Sequence, residues 1–176
     1  MRFVTRAAVL CLMLALIAPA ATMAQDDEPT KLNVRIGLFR PLDTQTQTFN
    51  GKTWSCEGLI YDLKLNDNGR PTTQVELGLI ESIDSADSAM MLGANKLWWQ
   101  KPTGTSLYYG AGAGVAKFKV FGQSKLEPTG QLFVGFNVSD SYFFELRALI
   151  VPPIDIFGIE VKMSGIMLTA GTRKLF

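Results

Sequence analysis

Residues 131–150 read QLFVGFNVSDSYFFELRALI, and two alternating runs meet there across a single turn. In the first run Leu132, Val134, Phe136 and Val138 alternate with Gln131, Phe133, Gly135 and Asn137. In the second, Tyr142, Phe144, Leu146, Ala148 and Ile150 alternate with Phe143, Glu145, Arg147 and Leu149. A period of two is the mark of a strand, because successive side chains point to opposite faces. Ser139-Asp140-Ser141 supplies turn chemistry between them. The stretch is a β-hairpin with one apolar face and one that carries charge.

The same period recurs outward from this hairpin. Leu32, Val34, Ile36 and Leu38 alternate with Asn33, Arg35 and Gly37; Leu59, Tyr61, Leu63 and Leu65 with Ile60, Asp62 and Lys64; Val75, Leu77 and Leu79 with Gln74, Glu76 and Gly78. Turn residues separate the runs at Asn66 to Pro71, Lys101 to Gly104 and Pro152-Pro153. The pattern predicts eight strands near 32–40, 53–65, 72–83, 88–100, 105–121, 129–139, 141–151 and 157–176, the last with a bulge near Ser164-Gly165. No segment beyond the N-terminal region shows a helical stripe. The fold expected is all-β: an eight-stranded antiparallel up-and-down barrel, which closes without exposed edges.

The first 25 residues, MRFVTRAAVLCLMLALIAPAATMAQ, have Arg2 and Arg6, then an apolar run, then small residues. That order is a secretory signal peptide, with cleavage expected after Ala24. Residues 1–24 are therefore assigned to the signal, 25–31 to a short polar leader and 32–176 to the barrel domain. Taking 24 from 176 leaves 152 residues, and losing two of 17 basic residues against 16 acidic ones gives a net charge of −1. No basic excess points to nucleic acid. Of the two cysteines only Cys56 remains after cleavage, so no internal disulfide is expected, and Cys56 reads as a packing residue.

The chain contains no histidine. This removes histidine-assisted catalysis and histidine metal ligation, and with one cysteine no zinc ligand set remains. No catalytic residue, metal site or cofactor is expected. GAGAG at 110–114 precedes more alternation rather than a helix start, so its glycines make room for larger side chains opposite instead of holding phosphate. NDNGRP at 66–71 lacks the acidic ligands of a calcium loop and is a turn.

Alternation alone leaves open whether the apolar faces point inward, as in a soluble calyx, or outward to lipid. Arg35, Asp62, Lys64, Glu76, Glu145 and Arg147 lie opposite the apolar faces, and in a membrane barrel they would form a charge network across the lumen. Trp98, Trp99, Tyr108, Tyr109 and Tyr142 gather beside turns, as interfacial aromatics do.

In these features the chain resembles the small outer-membrane β-barrel family, the OmpA-like transmembrane barrels and their relatives. The likeness is sharpest in YYGAGAGVAKF (108–118), VGFNVSDSYFFELRALI (134–150) and IMLTAGTRKLF (166–176). The resemblance implies a C-terminal assembly signal, with Thr169 as its polar residue, Gly171 as its glycine and Phe176 as its final aromatic. Lys174 stands where that signal has a hydrophobic residue. It further implies a monomer in the outer membrane of a Gram-negative-type bacterium, with outer-membrane lipid and the outer-membrane insertion machinery as partners. The function expected is structural or interaction-type in the cell envelope, neither catalytic nor an open pore. The rivals are a soluble periplasmic lipocalin-like barrel with an apolar ligand inside, and a lipid-modifying barrel enzyme; the family's enzymes rely on a histidine that is absent here.

Overall fold

A computed structural model describes residues 32–139 and 141–173. The elements are β1 (Leu32–Pro41), α1 (Thr44–Asn50), β2 (Trp54–Leu65), β3 (Pro71–Ser82), β4 (Ser88–Trp99), β5 (Ser106–Val120), β6 (Gln123–Asn137), β7 (Tyr142–Ile150), β8 (Ile154–Ile156), β9 (Ile159–Val161) and β10 (Gly165–Thr172). Eight strands close into a barrel in the order β1-β10-β7-β6-β5-β4-β3-β2, while β8 and β9 form a separate hairpin. Every neighbouring pair is antiparallel, and β1 closes the ring against β10 from Val34↔Thr172 to Pro41↔Gly165. The signal, the leader, Lys174 and Phe176 lie outside the described residues.

The two ends of the barrel differ. At one, the turn end, β1 begins, β10 finishes, and tight connections join β2 to β3, β4 to β5 and β6 to β7. Asn66 makes the first of these: its Oδ1 accepts the backbone N–H of Asn68 (3.0 Å) and of Arg70 (2.9 Å). The other, the cap end, carries α1, the 83–87 loop, the β5–β6 turn and the β8–β9 hairpin. Both hairpin turns there place Phe then Gly at positive φ: Phe121 at 50° and Gly122 at 79°, Phe157 at 56° and Gly158 at 78°. Two consecutive left-handed residues make the primed turn that matches strand twist.

Three expectations need correction. Residues 44–50 form a helix, which no apolar stripe announces because TQTQTFN is almost wholly polar. Its signals are the ends: Asp43 caps it by accepting the Thr46 N–H at 2.7 Å, and Gly51 follows it at φ 93°. The Thr46 N–H holds the half-buried Asp43 carboxyl below its usual value. Next, β6 starts at Gln123 rather than 129. Pro128 tolerates a strand there because β6 has only β5 beside it until Gly130 meets Ile150 of β7. Finally, 157–176 is not one bulged strand. Ile159–Val161 belongs to the small hairpin, and the barrel strand begins afresh at Gly165.

The interior is filled in layers. Under the cap, Phe39, Trp54, Met91, Phe118 and Met167 from the barrel pack with Ile154, Ile156, Val161 and Met163 from the hairpin segment, all buried. The middle layer is charged. Towards the turn end, Leu97, Tyr108 and Phe133 form a second cluster against Trp99. The outer face is the reverse: Ile36, Leu38, Leu92, Leu132, Val134, Phe144, Leu146 and Leu168 are all exposed.

Inward glycines make this filling possible. Gly135 lies opposite Tyr108 and Gly110 opposite Phe133 on the neighbouring strand. A Cβ at Gly135 would stand 2.1 Å from the Tyr108 ring, and one at Gly110 2.2 Å from the Phe133 ring. Each ring lies over a glycine because nothing larger leaves room in an eight-stranded lumen. Gly135→Val should therefore destabilise the barrel by about 1–3 kcal/mol through overpacking, with partial recovery in Gly135→Val/Tyr108→Ala. Urea unfolding followed by tryptophan fluorescence measures both.

Candidate functional site

The strands aim two arginines and two glutamates at the centre of the lumen. Arg35 on β1 grips Glu76 on β3 bidentately, Nη2 to Oε1 at 2.9 Å and Nη1 to Oε2 at 3.1 Å. Arg147 on β7 donates from Nη1 to Glu76 Oε2 at 2.9 Å and from Nη2 to Glu145 Oε2 at 2.8 Å. Arg35 also stands 3.7 Å from Glu145. The four side chains are within 3% of complete burial. Their charges sum to zero, as burial requires, since an unpaired ion in so dry a place would be very costly.

Neutral groups complete the network. Asn95 and Gln131 donate to Glu76 at 2.8 and 3.0 Å, and the Tyr108 hydroxyl donates to Glu145 Oε1 at 2.9 Å. Arg147 also donates to Gln131 Oε1, and its guanidinium lies 4.2 Å from the centre of the Phe133 ring. Both oxygens of each glutamate are thus engaged. Chemically the cluster is a cross-brace: no carboxylate oxygen is turned towards open space, while Arg147 Nε and Asn95 Oδ1 are buried without a hydrogen-bond partner among the described residues.

Arg35, Glu76, Glu145 and Arg147 of the sequence-derived network come together; Asp62 and Lys64 stand apart from them. Asp62 is buried nearer the turn end, accepting from Asn33 at 2.9 Å and Gln74 at 2.6 Å. Lys64 does not enter the lumen. The β2–β3 register shifts between Asp62 and Lys64, and this bulge turns Lys64 to the exposed outer surface. Sequence reasoning missed Asn95, Gln131 and Tyr108. Their signal was parity: each lies an even number of residues from an inward neighbour on its own strand.

Parity also separates the aromatics. Trp98, Tyr109 and Tyr142 are exposed on the outer face, with the Trp98 and Tyr109 rings stacked at 5.6 Å. Tyr108 is buried inside, and Trp99 turns inward beside it, ring centres 4.5 Å apart, donating its indole N–H to Pro71 O. These two are corrections to the expected girdle, because adjacent strand residues face opposite ways. Of the expected assembly signal, Thr169 is buried on the inner face and Gly171 pairs with Phe143 and Arg35; Phe176 lies outside the described residues.

Comparison with solved structures places this architecture. The chain superposes on the outer-membrane enzyme PagL with a TM-score of 0.55 at 14% identity, over 82% of this chain and 99% of that one. It matches the N-terminal β-barrel domain of Pseudomonas aeruginosa OprF with a TM-score of 0.51 at 12% identity, over 82% and 98%. The fold is that of the eight-stranded outer-membrane barrels. No protein-family model matches the chain, and no curated protein matches it. At such identities the likeness concerns the barrel; the cross-brace is read from this chain's own residues.

Glu76→Ala would leave Arg35 and Arg147 facing each other without their shared anion. It should cost about 3–5 kcal/mol, whereas replacing the four charges together with Asn95, Gln131 and Tyr108, which would otherwise lose their partners, by apolar residues of similar volume should be nearly neutral. Urea titration of the protein folded in lipid vesicles tests both.

Proposed function

We propose that this chain is a non-catalytic outer-membrane barrel that serves the cell envelope as a structural or interaction element, with its lumen closed to solutes. One observation carries the reading: four compensating charges meet in the middle of the lumen, and large apolar side chains cover the outer wall. Arg35, Glu76, Glu145 and Arg147 are buried, while Leu92, Leu132, Phe144 and Leu168 are exposed. Water rewards the opposite arrangement; a bilayer rewards this one. A soluble calyx would need an apolar cavity, and the centre of this lumen is an ion cluster.

The asymmetry of the ends supports an orientation. Membrane barrels keep short turns at the periplasmic side and longer connections outside. The turn end is then periplasmic, and the cap end, with α1 and the β8–β9 hairpin, faces outward. In this reading outer-membrane lipid surrounds the belt, the chain acts as a monomer, and the last strand is what the insertion machinery reads. PagL is an outer-membrane enzyme, whereas this chain has no histidine for histidine-assisted catalysis. The carboxylates of the lumen are all engaged.

The protein should extract only with detergent and migrate in a heat-modifiable way on gels; recovery in the soluble periplasmic fraction would defeat the proposal. In a Cys56→Ser background, Val134→Cys should stay unreactive to water-borne maleimide in the folded, vesicle-inserted protein and react once the protein is unfolded in urea. Planar bilayers containing the protein should show no steady conductance.

A further inference from the structure

The outer wall at the turn end holds a groove of about 540 Å³, bordered by the β2–β3 turn at Asn66 and the β4–β5 turn at Lys101. Lys96, Trp98 and Tyr109 line its floor and side, all exposed on the outer face. None of the described residues lining it is acidic. The stacked pair Trp98–Tyr109, with planes 17° apart, forms a rigid aromatic wall.

Two further observations extend this feature. The bulge in β2 turns Lys64 outward, and the register sets it beside Thr73, which in turn sits beside Lys96. Lys64, Thr73 and Lys96 thus form a row across three strands, with the two lysine Cα atoms roughly 10 Å apart at ordinary strand spacing. Above Lys96, its partner Ala111 and the pair Ala94↔Ala113 make a shallow lane on the wall. Larger side chains flank the lane, Val75 beside Ala94 and Leu132 beside Ala111. Lys101 and neutral hydrogen-bonding groups thus sit at the rim, the aromatic wall stands next, Lys96 lies one step inside it, and a smooth apolar track leads from there towards the middle of the belt.

We infer that this groove binds the phosphate headgroup of an anionic glycerophospholipid, with Lys96 and Lys101 on the phosphate and an acyl chain lying along the Ala111, Ala94 and Ala113 lane. The inference rests on the membrane reading above, which puts the turn end in the periplasmic leaflet. Long basic side chains reach from a barrel wall to the headgroup level, with their stems against apolar surface. Each lysine near a headgroup layer adds to the attraction for anionic lipid. The aromatic pair fits an interfacial position.

Brominated lipids test this through Trp98, the outward-facing tryptophan. The purified full chain is refolded into vesicles of phosphatidylcholine mixed with either brominated phosphatidylglycerol or brominated phosphatidylcholine, and tryptophan quenching is titrated. Phosphatidylglycerol should compete for the site about tenfold better than phosphatidylcholine. Lys96→Ala/Lys101→Ala should bring the two lipids to parity, while Lys96→Arg/Lys101→Arg keeps the preference. Heat-modifiable migration of each variant shows that the barrel is intact. Equal quenching by both lipids in the wild type, or a preference unchanged by the alanine pair, overturns the inference and leaves the membrane reading standing. Absence of quenching by either lipid would instead defeat the membrane reading itself.

Discussion

The Glu76 carboxylate is the point on which the lumen turns. From its place on β3 it accepts hydrogen bonds from Arg35 on β1, Asn95 on β4, Gln131 on β6 and Arg147 on β7. Five of the eight barrel strands therefore meet at two oxygen atoms. Antiparallel pairing alone defines neighbours around the ring, but it says little about the shape of the ring's cross-section. A buried anion held by two guanidinium groups does, because each charge left without a partner would be costly in so dry a place. Tyr108 extends the same network through Glu145 towards the turn end.

Around that brace the barrel is packed like a core rather than lined like a channel. An eight-stranded ring has just enough interior for side chains, and here the supply of space is managed residue by residue. Tyr108 and Phe133 lie over Gly135 and Gly110. The cap end is filled by an apolar cluster to which the chain between β7 and β10 contributes Ile154, Ile156, Val161 and Met163. The cap is itself tied together by polar contacts: Asp87 accepts from Asn50 at the end of α1 (2.7 Å) and from the Phe121 N–H in the β5–β6 turn (3.0 Å), and the Lys162 N–H bonds Thr46 (3.2 Å). The Asp87 bond to Phe121 helps to hold that residue in its left-handed conformation, which side chains other than glycine disfavour.

Much of this was legible before any coordinates. Period-two alternation with turn residues between runs located the eight barrel strands, and the absence of histidine narrowed the chemistry. The same parity, followed strictly, would have placed Tyr108 and Trp99 inside, since each adjoins an outward aromatic. What parity does not carry across is an irregularity. Lys64 follows the inward Asp62 by two residues, so a regular strand would point it into the lumen; the β2–β3 bulge turns it out. The α1 helix escaped for a related reason, because its seven residues are too few and too polar to show a stripe, and only its capping residues mark it.

Local sequence settled the properties that depend on neighbours along one chain: strand or turn, and which residues share a face. Alternation is a consequence of backbone geometry, so it survives without tertiary information. It leaves open which face is inside, since apolar-in and apolar-out barrels have the same pattern. Tertiary structure decided that by closing the ring with Arg35, Glu76, Glu145 and Arg147 within it, where strands far apart in sequence bring opposite charges within hydrogen-bond reach. The physical reason is that charge compensation is non-local. Arg35 and Glu76 are 41 positions apart, Glu76 and Arg147 71, and only the closed barrel makes them neighbours.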